Sequence, residues 1–209
     1  MARYCGAVCR LCRREGEKLF LKGERCYTSK CAVERREGAG PGMHGRIRQS
    51  YSDYKVRLRE KQKTKRIFGL LEKKFKRYYL EASSKKGVTG SQILLHLERR
   101  LDNVVYRLGF GASRSLSRQL VTHRHVLVNG KRVSVPSYEV AANDVVEVCE
   151  KMKKNQGIVA AMESASARLV PDWLMLEKTE ARGTVKALPT REQMIQGVNE
   201  QLIVELYSK

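Results

Sequence analysis

Between residues 52 and 82 the chain threads apolar positions through a dense run of basic ones, SDYKVRLREKQKTKRIFGLLEKKFKRYYLEA. Leu71, Phe75 and Tyr78 recur at helical spacing, and Ser52 or Asp53 offers a side-chain oxygen for an N-cap, so the pattern predicts helix with its aromatics in the core. ASSKKGVTG then interrupts it with residues that favour turns. Further on, Leu94, Leu97, Leu101, Val104 and Leu108 fall on one helical face, with Gly109 as a C-cap and Arg100 and Arg107 two turns apart beside the stripe. Ser113 or Ser115 can cap a second, shorter helix whose apolar side is Leu116, Leu120 and Val121. Arg114 and Arg118, four apart, project together from it.

After these helices the period changes. HVLVNGKRVSV alternates apolar and polar residues around Asn129-Gly130, the pair best suited to a two-residue hairpin turn. Lys131 and Arg132 follow that turn, and DVVEV offers another strand, with Cys149 as a small core side chain beside it. The segment therefore reads as two helices packed on a small antiparallel sheet. At the end of the chain, Thr190 with Gln193 has the form of a capping box, and Ile195, Val198, Leu202 and Leu206 make an apolar face that needs a partner helix. REGAGPGMHGR, by contrast, is loop or extension and marks a boundary.

Charge changes the picture. The chain holds 42 Lys and Arg against 22 Asp and Glu, a formal net charge of +20 over 209 residues, spread along nearly its whole length. Such an excess repels itself unless a polyanion neutralises it, which points to nucleic acid as the partner. No apolar run approaches the roughly 20 residues of a membrane span, and the opening residues lack the apolar core of a signal peptide, so a cytoplasmic protein without a membrane partner is expected.

In that compartment thiols are kept reduced, and five of the six cysteines fall within the first 31 residues. Cys9-x2-Cys12 and Cys26-x4-Cys31 are two close pairs with thirteen residues between them. That spacing suits one tetrahedral structural zinc with Cys9, Cys12, Cys26 and Cys31 as ligands, and a 4Fe–4S cluster is the alternative. Surrounding Lys and Arg favour thiolates and offset the charge of such a site. Cys5 and His44 are left outside the ligand set.

Two other classes fit the residues less well. An RNA-modifying enzyme needs a catalytic domain, and the chain has no GxxxxGKT loop, no HExxH and no nucleophile–base pair; His123 and His125 alternate at a strand entrance and read as structural or RNA-facing. A small-molecule substrate is not expected. A zinc-containing DNA-binding regulator would need a recognition helix after the cysteine pairs, and none follows.

The segment RRLDNVVYRLGFGASRSLSRQLVTHRHVLVNGKRV closely resembles the signature of the RNA-binding domain named after small-subunit ribosomal protein S-four. VCRLCRREG, LKGERCYTSKC, SDYKVRLREKQK and VNEQLIVELYSK extend the resemblance to the bacterial ribosomal family along essentially the whole chain. The resemblance implies an α+β protein in three parts. These are a basic metal-binding extension (1–45), a helical domain (46–90, completed by 178–209), and an inserted RNA-binding domain (91–177) with the signature at about 99–165. It also implies binding to the 5′ domain of small-subunit ribosomal RNA early in assembly, among neighbouring small-subunit proteins. A place near the channel through which messenger RNA enters, and a part in translational accuracy, are implied as well. Phosphate contacts are expected from Arg100, Arg107, Arg114, Arg118, Arg124, Lys131 and Arg132, with selectivity from the shape of an RNA helix junction.

Overall fold

The computed structural model describes residues 3–46, 51–165 and 170–208. Residues 47–50 of the expected helical domain and 166–169 of the expected inserted domain lie outside that set. The chain divides into two compact units, Met1–Ile93 with Gly197–Lys209, and Leu94–Gln196.

In the first unit, α1 (Cys9–Glu15) leads through a 3₁₀ turn (Gly23–Tyr27) to α2 (Ala32–Arg35). The basic helix expected from residue 52 is two helices, α3 (Asp53–Ile67) and α4 (Glu72–Ser83). Ser52 is the N-cap, its hydroxyl accepting the Lys55 N–H at 3.3 Å. α3 stops because Gly69 takes φ +62°, which lets the Gly69 N–H reach Arg66 O and the Leu70 N–H reach Lys65 O at 3.1 and 2.9 Å. Phe75 and Tyr78 are buried as expected; Leu71 instead sits before α4 and is exposed. The division between the units falls inside α5 (Thr89–Glu98), between Ile93 and Leu94.

Leu94, Leu97, Leu101, Val104 and Leu108 are all fully buried, yet they do not share one helix. α5 ends at Glu98, Arg100 is extended and bridges to Glu139 as in a sheet, and α6 (Leu101–Arg107) begins afresh. Gly109, at φ +85°, closes α6 by the device that closes α3, with its N–H on Tyr106 O and the Phe110 N–H on Val105 O. α7 (Arg114–Thr122) is capped by Ser113, which accepts the Leu116 N–H at 3.3 Å. Its buried side is Ser117, Leu120 and Val121, whereas Leu116 is exposed.

The sheet is antiparallel throughout, in the order β2-β1-β3-β5-β4, from β1 (Val126–Val128), β2 (Lys131–Arg132), β3 (Val145–Val148), β4 (Leu174–Glu177) and β5 (Arg182–Val185). Asn129 and Gly130 both have positive φ, 50° and 76°, the requirement of the tight hairpin turn that their sequence predicts. α8 (Glu150–Lys153) and α9 (Gln156–Ala165) stand between β3 and β4. One core of Leu101, Val104, Leu108, Val121, Val146 and Trp173 joins helices and sheet. α6 and β5 approach so closely that a Cβ on Gly183 would stand 2.4 Å from Leu108 Cδ2.

A boundary at residue 178 would cut the β4–β5 hairpin, which pairs in register from Leu174↔Val185 to Glu177↔Arg182. The chain rejoins the first unit from Gly197 instead. There α10 (Glu200–Tyr207), capped by the Asn199 side chain, packs on α3, the partner helix that its apolar face demanded. The Thr190–Gln193 box exists, with the Thr190 N–H 3.2 Å from Gln193 Oε1, but it serves a 3₁₀ turn (Arg191–Gln193) and not α10. Among the described residues no helix is long and apolar enough to cross a membrane.

Candidate nucleic-acid interface

Two buried carboxylates organise the arginines of the second unit. Glu98 has no exposure, and its Oε1 accepts Arg107 Nη2 at 2.6 Å and the Ile195 N–H at 3.0 Å. Its Oε2 accepts Asn103 Nδ2 at 2.6 Å and Arg107 Nε at 3.2 Å. Asp102 takes the Arg100 fork, Nε at 3.0 Å and Nη2 at 2.6 Å, together with Arg118 Nη1 at 3.0 Å. Asn103 links the two groups, because its Oδ1 accepts Arg114 Nε at 3.0 Å while its amide donates to Glu98. Arg114 also lies with its guanidinium carbon 4.5 Å from the Tyr106 ring centroid, a cation–π contact.

This arrangement sorts the expected contact residues into three groups. Arg100 has no exposed surface and spends its fork on Asp102, so it is a structural residue and offers no donor to a phosphate. Arg107, Arg114 and Arg118 are partly buried and held by acceptors from the protein. Arg124, Lys131 and Arg132 are exposed, the last two on β2 beside the hairpin turn. Arg114 and Arg118 do not project as a free pair, because each is committed to a different residue of α6. Formally the network holds four guanidinium charges against two carboxylates, leaving it cationic. Burial opposes the charge of Arg107, but the Glu98 carboxylate outweighs that and raises its pKa; burial lowers that of Arg114.

Glu98, Asp102, Asn103 and Tyr106 are the residues that sequence reasoning missed. Acidic and amide side chains within ERRLDNVVYR, next to arginines, were the available sign, since buried guanidinium needs acceptors. Nearby, His123 and His125 stack with ring centroids 6.1 Å apart, and Cys149 Sγ lies 3.9 Å from His125 Nδ1.

In the first unit, α1 and α2, which carry or flank three of the four cysteines, lie against each other. Cys12 is buried in α1, Cys26 in the 3₁₀ turn and Cys31 at the start of α2, while Cys9 is half-buried. Burial raises the Cys12 thiol pKa, a Leu19 backbone hydrogen bond opposes this, and Cys26, Cys9 and Cys31 raise it further through their charges. The Lys22 N–H reaches Cys26 Sγ at 3.4 Å. Four thiols on short neighbouring elements, one of them accepting a backbone N–H, fit a thiolate-bound metal in chemistry, although among the described residues no three possible ligands stand in a ligating arrangement. Cys5 is exposed, its thiol 3.5 Å from the Arg3 carbonyl, and His44 is exposed as well.

Two family models match adjoining stretches of the chain. Residues 3–98 match the family described as Ribosomal protein S4/S9 N-terminal domain, and residues 99–146 match the S4 domain. Small ribosomal subunit protein uS4 of Syntrophus aciditrophicus is 58% identical over 210 residues, covering 100% of both chains. The uS4 of Citrifermentans bemidjiense and the uS4A of Clostridium botulinum are each 56% identical over 209 residues, again covering 100% of both chains. With family matches running from the cysteine pairs through the arginine network and relatives aligned from end to end, the chain belongs to the uS4 family of small ribosomal subunit proteins.

Proposed function

We propose that the protein is a non-enzymatic structural constituent of the small ribosomal subunit in the cytoplasm, and that it binds the 5′ domain of small-subunit ribosomal RNA to start assembly. The observation that carries this reading is a cationic surface anchored from within. Glu98 and Asp102 fix Arg107 and Arg118, while Arg124, Lys131 and Arg132 remain exposed. Fixed guanidinium groups lose little freedom on meeting phosphate, and a rigid array selects RNA by shape, which charge alone does not. Arg100 has no place in that contact set. Neighbouring small-subunit proteins, and messenger RNA near its channel entrance, are further partners in this reading.

The extension has few apolar residues from which to build a core, so a single zinc ion held by Cys9, Cys12, Cys26 and Cys31 would fix its geometry before RNA arrives. Those thiolates would supply a closed site with a purely structural role.

Binding to the 5′ domain, measured against a scrambled RNA of equal length as salt is raised, tests the proposal. Both affinities should fall as counterions compete, with the ribosomal RNA keeping roughly a hundredfold advantage, about 2.7 kcal/mol. Coincident curves would reduce the binding to net charge.

A further inference from the structure

The first unit carries a separate concentration of positive charge. A cleft of about 360 Å³, formed by α1, the 3₁₀ turn and α2, is lined by Arg10, Arg13, Arg25, Lys30, Arg35 and Arg36, with Cys9 and Ala32 beside them, and by no carboxylate. The volume falls within the range of small-molecule sites, about 300–1,000 Å³. Three acids elsewhere in the segment are committed to other cations, while Glu24 and Glu37 are exposed and outside the lining. Glu15 pairs with Arg59 and Arg66, Glu17 with Lys63, and Glu34 with Lys18. Arg10, Lys30, Arg35 and Arg36 are exposed and, among the described residues, form no ion pair.

The walls of the cleft are fixed by its other two cations. Arg13 donates through Nε to Ala39 O at 3.0 Å and through Nη2 to Gly40 O at 2.6 Å, and Arg25 Nε donates to Lys30 O at 3.4 Å. Six cations gathered on one preformed cleft repel each other, and that repulsion is relieved by an anion with several charges in one place. A zinc ion with four thiolates, formally 2−, would offset two of the six and leave four. A nucleic-acid strand spreads its phosphates one per nucleotide, whereas a polyphosphate chain concentrates them, and guanidinium forks match phosphate oxygens in pairs. Because no Asp or Glu lines the cleft, nothing there would hold Mg²⁺.

We propose that this cleft is a site for a polyphosphate chain, either inorganic or carried by a nucleotide, bound free of Mg²⁺. The inference does not depend on RNA binding by the second unit. Calorimetric titration of the full-length protein with pyrophosphate, inorganic phosphate, ATP and a single-stranded RNA oligomer lacking terminal phosphates tests it. Pyrophosphate should bind one per chain, at least tenfold more tightly than phosphate, and more weakly once excess Mg²⁺ occupies its oxygens. Equal affinity for ATP would assign recognition to the phosphate chain alone, and tighter ATP would add a nucleoside contact. The double substitution Arg10→Gln with Arg35→Gln should weaken pyrophosphate at least tenfold while metal content and circular dichroism stay unchanged. Lys30→Gln, in a turn, gives a second variant should the helical pair unfold. The site is refuted if pyrophosphate binds no better than phosphate, if properly folded variants bind as wild type does, or if the RNA oligomer displaces pyrophosphate at equal phosphate concentration.

Discussion

Glu98 accepts the backbone N–H of Ile195 at 3.0 Å and so ties the start of the second unit to its end, 97 residues later. Arg107 and Asn103 complete the set of donors on the same carboxylate. A buried carboxylate is tolerated only when its oxygens are fully satisfied, so these contacts form or fail together.

Glu98→Gln keeps the shape but leaves Arg107 without its counter-charge. A loss of about 3 kcal/mol is expected, since removing one partner strands the other. Urea unfolding followed through Trp173, the only tryptophan and 2% exposed, reports on this unit directly. An unmoved midpoint would show that the charge of Glu98 contributes nothing.

Acid should loosen the first unit through Glu72. Burial opposes ionisation of this carboxyl, but hydrogen bonds from Lys61, Lys65 and Tyr207, at 2.7, 2.9 and 2.7 Å, outweigh it and hold its pKa down at about 2. Tyr207 shifts upward, through burial and then the Glu72 carboxylate. A depressed carboxyl pKa gives stability that is present above the ordinary value of 4.5 and lost as pH falls towards 2. The side chain is 45% exposed, so solvent screening keeps the contribution below about 1 kcal/mol. The difference in urea midpoint between wild type and Glu72→Gln, read by circular dichroism, should shrink over that pH window; a constant difference would contradict the assignment.

The exposed and the anchored cations should respond differently to substitution. Lys131→Gln and Arg132→Gln should each lower the salt dependence of RNA binding by about one ion and leave stability unchanged. Arg118→Glu places a carboxylate against Asp102, so it should lower RNA affinity and also cost about 3 kcal/mol of folding stability. Titrating RNA alongside urea midpoints separates the two effects, and equal stability in all three variants would argue against the internal anchor.

Metal content distinguishes the cysteines. Cys9→Ser should abolish zinc binding and disorder residues up to 45, while the Trp173 transition stays in place; Cys5→Ser should keep one zinc per chain. Elemental analysis of the purified protein decides this, and iron with sulfide in place of zinc would assign a cluster to the same four thiols.

Local rules carried the sequence reading a long way. Ser52 and Ser113 cap their helices because a free hydroxyl beside exposed backbone N–H groups needs no distant partner. Asn129-Gly130 turns its hairpin because these two residues accept positive φ wherever they occur. The excess of basic residues and the spacing of the cysteine pairs were equally direct.

Tertiary structure decided the rest, because those choices depend on partners far away in the chain. Hydrophobic spacing found the buried face from Leu94 to Leu108 but could not locate its break, since Arg100 leaves the helix to pair with Glu139. Residues 178–196 could equally continue into a helical domain until β5 found β3 as its neighbour, which holds the hairpin in the sheet up to the return at Gly197. Basic composition counted the arginines without sorting them. Which ones face solvent was settled by two buried carboxylates, and a charge is kept inside a protein only where an opposite charge and a full set of donors meet it.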